Sequence, residues 1–291
     1  MNSKNVISLK EQLKKDNDIV ILPGVYDALS ARIAESVGFG AAFQTGYGTS
    51  ATLLGMPDYG FLNAGETFQN AHRIINSVNI PILVDIDTGY GNPLNVWKMV
   101  HDLEKIGAGG IFLEDQVWPK RCGHMKGKSV ISSSEYIQKL KAAIDARTDP
   151  NFIIVARTDS RAQFGIDAAI ERGKEYHEIG ADVIFIEAPQ SISEMKKITK
   201  RINAPLLANM IEAGITPNLS SQQLQKLGFK MVVFPLSGLY SSAYSIKNTF
   251  ETLKKTGTTS KHKTKMITFD QFNNFVNLKK YNKMEKKYSI K

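Results

Sequence analysis

The sequence predicts an α/β protein, a (β/α)8 TIM barrel with an extra C-terminal helical segment. Eight short apolar segments recur along the chain, and segments with a helical spacing of apolar residues separate them. Hydrophobic residues make up 42% of the chain and charged residues 22%, as in a packed globular protein. The chain has 291 residues, and barrels of this class use about 250 residues in a single domain.

The apolar segments are predicted to be parallel strands. Residues 111–113 and 183–186 are apolar at every position, which is expected of strands that are covered on both faces. Periodicity does not show whether a sheet closes, so an open doubly wound sheet is the alternative. The predicted strands are 19–22, 41–45, 82–85, 110–114, 152–156, 183–187, 206–209 and 231–234.

The segments between the strands are predicted to be covering helices. In residues 28–37, 137–144 and 168–179, apolar residues recur every three or four positions. Gly38 and Gly180 follow two of these segments, where a left-handed residue commonly ends a helix. The repeating unit is therefore strand, loop and helix.

The charge of the chain is concentrated at its C-terminus. The formal net charge is +9, and residues 254–291 alone carry that excess, so the rest of the chain is neutral. A nucleic-acid-binding protein usually spreads basic residues over a folded face, so we expect no nucleic-acid partner. We predict a barrel domain over residues 1–255 and a helical tail over 256–291, in which Phe272, Phe275 and Tyr281 suggest docking.

Cysteine content and hydropathy indicate the cellular compartment in which the protein is expected. Cys122 is the only cysteine, so no internal disulfide can form. The longest apolar runs, such as residues 152–156, are far shorter than the roughly 20 residues of a membrane span. The N-terminus does not resemble a secretion signal. We expect a cytoplasmic protein that does not enter a membrane.

Nearly every predicted strand ends at, or just before, a polar residue. The carboxyl ends of the strands meet at one rim of such a barrel, where active sites are built. A ring of carboxylates, arginine, asparagine and hydroxyls there indicates an enzyme with a small anionic substrate. The ring consists of Asp27, Thr45, Asp85, Asp87, Glu114, Arg157, Glu187, Asn209 and Ser237.

Asp85 and Asp87 form a candidate metal site. In an extended strand their side chains point the same way, and two carboxylates so close together need a cation. Magnesium prefers hard oxygen ligands and uses few protein carboxylates. Glu114, at the end of the next strand, could complete the set. The alternative is that Asp85 and Asp87 only cap the loop 88–91.

The loop after the fourth strand contains the second candidate cluster, residues 120–124. It places Cys122 among Lys120, Arg121 and His124, whose positive charge would lower the pKa of the thiol. Gly123 would let the loop move over a ligand. A gated acid or nucleophile is one interpretation, and an ordinary solvated basic loop is the other. Similarly, Arg157 and Glu187 could form a structural ion pair.

Several motifs together resemble the isocitrate lyase/phosphoenolpyruvate mutase superfamily. The resemblance covers nearly the whole chain. It is closest to the branch with methylisocitrate lyase, dimethylmalate lyase, petal death protein and carboxyphosphonoenolpyruvate phosphonomutase. The motifs that carry it are PGVYDA at 23–28, TGY at 45–47, VDIDTGYG at 84–91, LEDQ at 113–116, KRCGH at 120–124, ARTD at 156–159, EAP at 187–189 and ANMIE at 208–212.

The resemblance implies a set of site residues and an assembly. It implies Mg²⁺, or Mn²⁺ in its place, near Asp58, Asp85, Asp87 and Glu114. It implies an α-keto or enolate group bound by Thr45, Gly46, Tyr47 and Arg157, and a gating loop with Cys122. Family members commonly exchange their last helices within a homotetramer. The predicted catalytic residues are Tyr47, Lys120, Cys122, His124 and Arg157, and the predicted substrate-binding residues are Thr45, Gly46, Tyr47, Gly123, His124, Arg157, Glu187, Asn209 and Ser237.

Cys122 favours a lyase within this superfamily, because the phosphonate-forming mutases usually have asparagine in that loop. Cleavage of a 2-hydroxyacid between its α and β carbons leaves a carbanion-like carboxylate, and a loop thiol can protonate it. Magnesium and Arg157 would hold the α-oxygen as it becomes a carbonyl. The base stays open between Tyr47 and a magnesium-bound water.

The motifs depart from methylisocitrate lyase where specificity is expected. Residues 45–47, 209–214 and 238–240 differ from its usual sequences, and Tyr240 stands where that family has arginine. These changes favour a smaller or more apolar substrate such as an alkylated malate. The alternatives are a phosphonomutase, an oxaloacetate hydrolase or decarboxylase, and a non-catalytic barrel whose lysine-rich tail binds an acidic partner.

Overall fold

The predicted barrel is confirmed. The computed structural model describes residues 7–15, 18–123, 125 and 127–289. Eight parallel strands form a closed barrel in chain order, and β1 pairs with β8 from Val20↔Met231 to Pro23↔Phe234, so the open sheet is excluded. The strands are β1 (Val20–Val25), β2 (Ala42–Gln44), β3 (Ile82–Asp85), β4 (Gly110–Glu114), β5 (Ile153–Thr158), β6 (Val183–Ile186), β7 (Leu206–Asn209) and β8 (Met231–Phe234).

The strand ends differ most from the prediction in β1 and β5. The predicted fifth strand stops at residue 156, the last apolar position, but β5 continues because Arg157 pairs with Phe185 and Thr158 with Ile186. Backbone pairing does not depend on whether the side chain is apolar. The polar end of β5 is therefore held in register by the ladder, which fixes the direction of Arg157.

Helices cover the outside of the barrel, as the apolar spacing predicts. The N-cap side chain of Asn92 accepts hydrogen bonds from the backbone of Leu94 and Asn95, and Pro93 follows it. The α-helices are α1 (Leu9–Leu13), α2 (Ala28–Ser36), α3 (Gly46–Leu54), α4 (Ala64–Ile75), α5 (Pro93–Lys105), α6 (Ser133–Ala146), α7 (Arg161–Ile179), α8 (Ile192–Arg201), α9 (Ser221–Leu227), α10 (Ser237–Thr256), α11 (Phe269–Phe275) and α12 (Leu278–Tyr288).

The strands supply two separate cores. In β5, Ile153 and Val155 pack inside the barrel, whereas Ile154 and Ala156 pack outward against the helices. Successive strand residues point to opposite faces, so the inward series of β5 ends on Arg157. The same alternation turns the last residue of several strands toward the barrel axis.

The N-terminal end of the barrel is closed. Leu9, on α1, is fully buried and packs with the interior residues of the strands, including Leu22 and Met231. Apolar side chains therefore fill the barrel interior at that end. The polar mouth therefore lies at the opposite end, where the strands finish.

The tail forms helices, as predicted, but much of its apolar surface is uncovered in the single chain. A 3₁₀ segment, Ser260–Lys265, links α10 to α11 and α12. The Arg32 side chain of α2 donates to the backbone oxygen of Phe275, which ties α11 to the barrel. Phe272 is 41% exposed and Tyr281 is 56% exposed. None of the described helices has both the length and the unbroken apolar character that a bilayer crossing requires.

Candidate active site

The polar mouth is built by strands whose inward residues change from apolar to polar. Phe112 in β4 is followed two residues later by Glu114, and Phe185 in β6 by Glu187. Because alternate residues share a face, each polar side chain continues the inward series. One cavity at this end encloses about 40 Å³. It is lined by Phe43, Thr45, Tyr47, Asp58, Asp85, Phe112, Lys120, Arg121, Cys122, Gly123, Arg157, Phe185, Glu187, Asn209, Ile211, Val233, Pro235 and Leu236.

Arg157 is the central cation of the mouth. Its Nη1 lies 3.1 Å from Glu114 Oε2 and its Nη2 lies 3.2 Å from Glu187 Oε2. Asp159 binds it with both oxygens, Oδ2 at 2.7 Å from Nε and Oδ1 at 3.0 Å from Nη2. Burial alone would lower the pKa of Arg157, but these three carboxylates raise it well above its usual value. Arg157 therefore stays charged.

Two phenylalanine rings form the floor beneath Arg157. The guanidinium carbon lies 5.6 Å from the ring centre of Phe112 and 5.5 Å from that of Phe185. A guanidinium over aromatic faces gains cation–π attraction, and the rings exclude water from below. The apolar floor and the three carboxylates together restrict how Arg157 can move.

Asp85 and Asp87 converge at the mouth, but not through an extended strand. β3 ends at Asp85, and Asp87 has a left-handed backbone with φ of 50°. The carboxylate of Asp85 accepts from the backbone of Asp87 at 3.0 Å and of Gly46 at 3.2 Å. A methyl group on Gly46 would contact both carboxylates, so this glycine permits their close approach.

Lys120 inserts between two of the predicted metal ligands. Its Nζ lies 2.5 Å from Asp58 Oδ1 and 2.7 Å from Asp87 Oδ1, and its side chain is 4% exposed. Burial would lower the pKa of Lys120, but Asp87, Asp58, Glu114 and Asp85 together raise it well above its usual value. A charged ammonium therefore lies among these carboxylates.

The acidic residues of the mouth lack enough positive charge. Burial raises the pKa of Asp87 to about 7, although Lys120 opposes the shift. Burial also raises the pKa of Asp85, and it raises that of Glu114 well above its usual value. Removal of a carboxylate from water disfavours its charged form unless a cation compensates. This cluster would be stabilised by a further cation.

The donor set fits a hard divalent cation, although the side chains are not arranged around one. Within the described residues, no group of three or more histidine, cysteine or acidic side chains is positioned to hold a metal ion. However, Glu114 Oε1 is buried without a hydrogen-bond partner, and the buried Asp87 Oδ1 contacts the Lys120 ammonium at 2.7 Å. Buried oxygen donors of this type suit Mg²⁺. The predicted set of Asp58, Asp85, Asp87 and Glu114 stays a prediction.

The loop after β4 closes over the mouth. The Gln116 side chain accepts from the Arg121 backbone nitrogen and donates to the Arg121 backbone oxygen, and the Cys122 backbone nitrogen donates to the backbone oxygen of Asp58 at 3.3 Å. Gly123 lies directly against Arg157 and Glu187, where any side chain would overlap them. The enclosed volume holds only a few water molecules. The loop therefore forms one wall of the cavity.

Not every predicted site residue faces the cavity. Ser237 lies outside it and donates to Glu212, while Asp27 caps α2 by accepting from Ser30 at 2.7 Å. His124 lies outside the described residues. The predicted residues that do line the cavity are Thr45, Tyr47, Asp58, Asp85, Lys120, Cys122, Gly123, Arg157, Glu187 and Asn209.

Sequence reasoning missed Asp159 and Asp115. Asp159 follows Arg157 by two residues, the spacing that singled out Asp85 and Asp87, so the same argument could have found it. Asp115 is fully buried and points away from the mouth. One of its oxygens accepts from the Asp159 backbone at 2.9 Å; the other accepts from Thr158 at 2.7 Å, Tyr176 at 2.9 Å and Arg172 at 3.0 Å. Asp115 thereby fixes the backbone that carries Asp159.

Tyr240 lies beside Tyr47 at the edge of the mouth. Burial raises the pKa of Tyr240 to about 12, and the neighbouring Tyr47 hydroxyl adds to the shift. The Tyr240 hydroxyl therefore keeps its proton near pH 7. Tyr240 stands at a position where the sequence departs from methylisocitrate lyase.

Comparison with known proteins identifies the family. The phosphoenolpyruvate phosphomutase family profile matches residues 9–254. The chain belongs to the isocitrate lyase/phosphoenolpyruvate mutase superfamily. This confirms the resemblance carried by the motifs, and the match ends where the predicted tail begins.

The curated relatives of this superfamily member include lyases and a mutase. The 2,3-dimethylmalate lyase of Eubacterium barkeri is 41% identical over 285 residues, covering 98% of this chain and 99% of that one. A chloroplastic carboxyvinyl-carboxyphosphonate phosphorylmutase of Arabidopsis thaliana is 46% identical and covers 96% and 83%. A 2-methylisocitrate lyase of Aeropyrum pernix is 38% identical and covers 97% and 91%.

Solved structures agree with the fold and bear on the ligands. An oxaloacetate acetylhydrolase bound to the inhibitor 3,3-difluorooxalacetate has a TM-score of 0.92 and 30% identity, covering 98% of this chain and 97% of that one. A phosphonopyruvate hydrolase in complex with oxalate and Mg²⁺ has a TM-score of 0.86 and 25% identity, covering 96% and 97%. Superfamily members thus bind small carboxylates, and at least one binds them with magnesium.

The Asp115 network gives a prediction for stability. Asp115→Asn would place an amide donor among groups that already donate, and it would remove the carboxylate that pairs with the part-buried charge of Arg172. We expect the free energy of unfolding to fall by about 3–5 kcal/mol, measured by urea denaturation. Asp167→Asn is the control, because it removes an exposed ion-pairing carboxylate. It is expected to change the free energy of unfolding by less than about 1 kcal/mol. Equal effects of the two variants would contradict the role of Asp115.

Proposed function

We propose that the protein is a magnesium-dependent carbon–carbon lyase. It cleaves a 2-hydroxy dicarboxylate or tricarboxylate, of the 2-alkylmalate or 2-methylisocitrate type, to pyruvate or glyoxylate and a second carboxylate. The observation that supports this most is the composition of one cavity wall. There Cys122 and Lys120 of the loop line the same cavity as Asp85 and Arg157 of the strands and Glu187, the residue after β6.

Arg157 is suited to bind a substrate carboxylate. Its guanidinium is buried, charged and held in a fixed plane by Asp159, and a planar fork matches a carboxylate. Asn209 lies beside it, with its Nδ2 3.4 Å from Glu187 Oε2 and its buried Oδ1 without a hydrogen-bond partner. A substrate hydroxyl is the kind of group that would satisfy that oxygen.

The proposed cleavage needs one base and one acid. The base removes the proton of the 2-hydroxyl, the bond between the α and β carbons breaks, and the α-oxygen becomes a carbonyl. The electron pair of the broken bond stays on the β carbon, and Cys122 gives that carbon its proton. Tyr47 lines the same cavity and is our candidate for the base. One proton is taken up and one is given, so the reaction is balanced.

The proposed metal would be held by Asp85, Asp87 and Glu114, with Asp58 near it. Magnesium, when bound, supplies positive charge to the substrate oxygens that become negative during cleavage. The Lys120 ammonium also contributes positive charge, beside Asp58 and Asp87. The loop excludes water as it closes, which strengthens these interactions.

The cavity walls favour a compact substrate. Besides Phe112 and Phe185, other apolar side chains line it, among them Ile211, Val233 and Leu236. Tyr240 and Tyr47 occupy the edge where methylisocitrate lyases have arginine and glycine. These residues would pack against an alkyl substituent better than against a third carboxylate, so an alkylated malate is the preferred substrate.

A phosphonomutase is the second candidate, because the Arabidopsis mutase is 46% identical to this chain. An oxaloacetate hydrolase is also compatible, given the oxaloacetate acetylhydrolase fold match at a TM-score of 0.92. The three activities share a bound enolate-like carboxylate and differ in what happens to it. A thiol that can deliver a proton favours the lyase.

We also propose that the tail docks on another copy of the chain within a homotetramer. The exposed aromatic residues of α11 and α12 support this proposal. Light scattering of the full chain is expected to give four times the 32.3 kDa chain mass. Phe272→Glu is expected to lower that mass and the exposed Lys279→Glu to leave it unchanged. A monomeric wild-type chain would overturn the proposal.

The reaction is tested by a substrate panel. The protein is incubated with dimethylmalate, methylisocitrate, citramalate and oxaloacetate, and keto-acid release is measured. We expect the highest kcat/KM for dimethylmalate, loss of turnover with a chelator, and recovery with Mg²⁺ or Mn²⁺.

The same panel separates the alternatives. Oxalate formed from oxaloacetate would favour the hydrolase. A carbon–phosphorus signal in phosphorus NMR after incubation with phosphoenolpyruvate would favour a mutase. Failure of every substrate to release a keto acid would refute the lyase.

Cys122→Ser tests the proton donor. A hydroxyl is a much weaker acid than a thiol, so we expect kcat to fall by about 100-fold or more while KM changes little. Alkylation with iodoacetamide serves as a matched control, since Cys122 is the only cysteine. Alkylation should inactivate the wild type and leave the residual activity of the variant unchanged. A variant with full kcat would exclude the thiol as the acid.

A further inference from the structure

Lys128 lies at the far end of the loop that carries Lys120 and Cys122, and the proposed chemistry does not use it. Its side chain is only 3% exposed. Its Nζ lies 2.7 Å from Asp159 Oδ1 and also donates to the backbone oxygen of Gly123. A single buried ammonium therefore joins the loop backbone to a carboxylate at the barrel mouth.

Asp159 is a fixed anchor for this contact. Its side chain is fully buried, and its backbone nitrogen donates to Asp115 at 2.9 Å. Oδ2 accepts from Arg157 Nε at 2.7 Å. Oδ1 receives both Arg157 Nη2 at 3.0 Å and Lys128 Nζ at 2.7 Å. One oxygen thus serves the substrate-binding arginine and the loop at the same time.

Asp159 Oδ1 connects the position of the loop to the contacts of Arg157. An open loop would withdraw Lys128 and leave Asp159 Oδ1 to Arg157 alone. In this structure Oδ1 has two cationic donors, so its negative charge is shared between Lys128 Nζ and Arg157 Nη2. The contact between Nε and Oδ2 still fixes the plane of the guanidinium, while the shared Oδ1 leaves Nη2 more capacity for a substrate carboxylate.

We propose that Lys128 is a positioning residue that acts as a latch, holding the described loop residues 120–123 over the mouth, and that it couples this closed position to Arg157 through their shared carboxylate, Asp159. This proposal rests on the proposed function for its catalytic consequence. The latch itself concerns the position of the loop and is measurable without substrate.

Cys122 provides the measurement, because it is the only thiol in the chain and lines the closed cavity. Cys122 is only partly exposed in this loop position, so opening of the loop should raise its reaction rate with the bulky thiol reagent DTNB. Loss of a buried charge-assisted hydrogen bond is expected to raise the open fraction, so Lys128→Met should speed the reaction by about tenfold or more. Lys98→Met, which removes an exposed lysine on α5, is the matched control and should leave the rate unchanged.

Coupling is tested with Asp159→Asn. If Lys128 acts through Asp159, the double variant should react with DTNB no faster than Asp159→Asn alone. Lys128→Arg keeps the charge and should restore much of the slow wild-type rate. If Lys128→Met lowers the melting temperature too far for comparison, Lys128→Arg against Asp159→Asn gives the same contrast.

Steady-state kinetics test whether the contact of Lys128 affects catalysis. With the best substrate of the panel, Lys128→Met should lower kcat/KM, and Lys128→Arg should recover part of the lost kcat/KM. If Lys128 contributed only to stability, variants of equal stability would have equal kcat/KM. A DTNB rate for folded Lys128→Met equal to that of the wild type would overturn the latch. Because this rate needs no substrate, a failed panel would refute the lyase and leave the latch standing, whereas an active lyase with an unchanged rate would refute the latch alone.

Discussion

The mouth of the barrel depends on one buried cation, the guanidinium of Arg157, and the carboxylates that hold it. Glu114, Asp159 and Glu187 surround it, and two phenylalanine rings lie below it. A buried charge without partners is strongly unfavourable, so these groups are interdependent. Removal of any one leaves another charge uncompensated. The geometry available to a substrate carboxylate follows from this arrangement.

Much of the fold was predictable because its signals are local. The strands β3, β4, β7 and β8 match the predicted ranges, since each is a short apolar segment bounded by loops. Alternation along a strand then places Asp85, Glu114 and Arg157 on the inner face without knowledge of the rest of the chain. Closure of the barrel needed the pairing of β1 with β8, which no local pattern specifies.

The contacts within the site were less predictable. Lys128 and Asp159 are 31 residues apart and meet only because the loop folds over the mouth. The insertion of Lys120 between Asp58 and Asp87 likewise depends on that closed position. Asp87 takes a left-handed backbone, so the extended geometry expected for it is wrong even though its carboxylate reaches the mouth. The sequence was sufficient to predict most of the residues at the mouth. It was not sufficient to predict the contacts between them.

The central claim is that this mouth binds a small carboxylate between a divalent ion and Arg157. A crystal structure of the full chain with Mg²⁺ and oxalate tests it most directly. The account predicts magnesium density among Asp58, Asp85, Asp87 and Glu114, with oxalate within hydrogen-bond distance of Arg157 and the loop closed over both. Oxalate and metal bound elsewhere, with Arg157 still fully engaged by its three carboxylates, would contradict it.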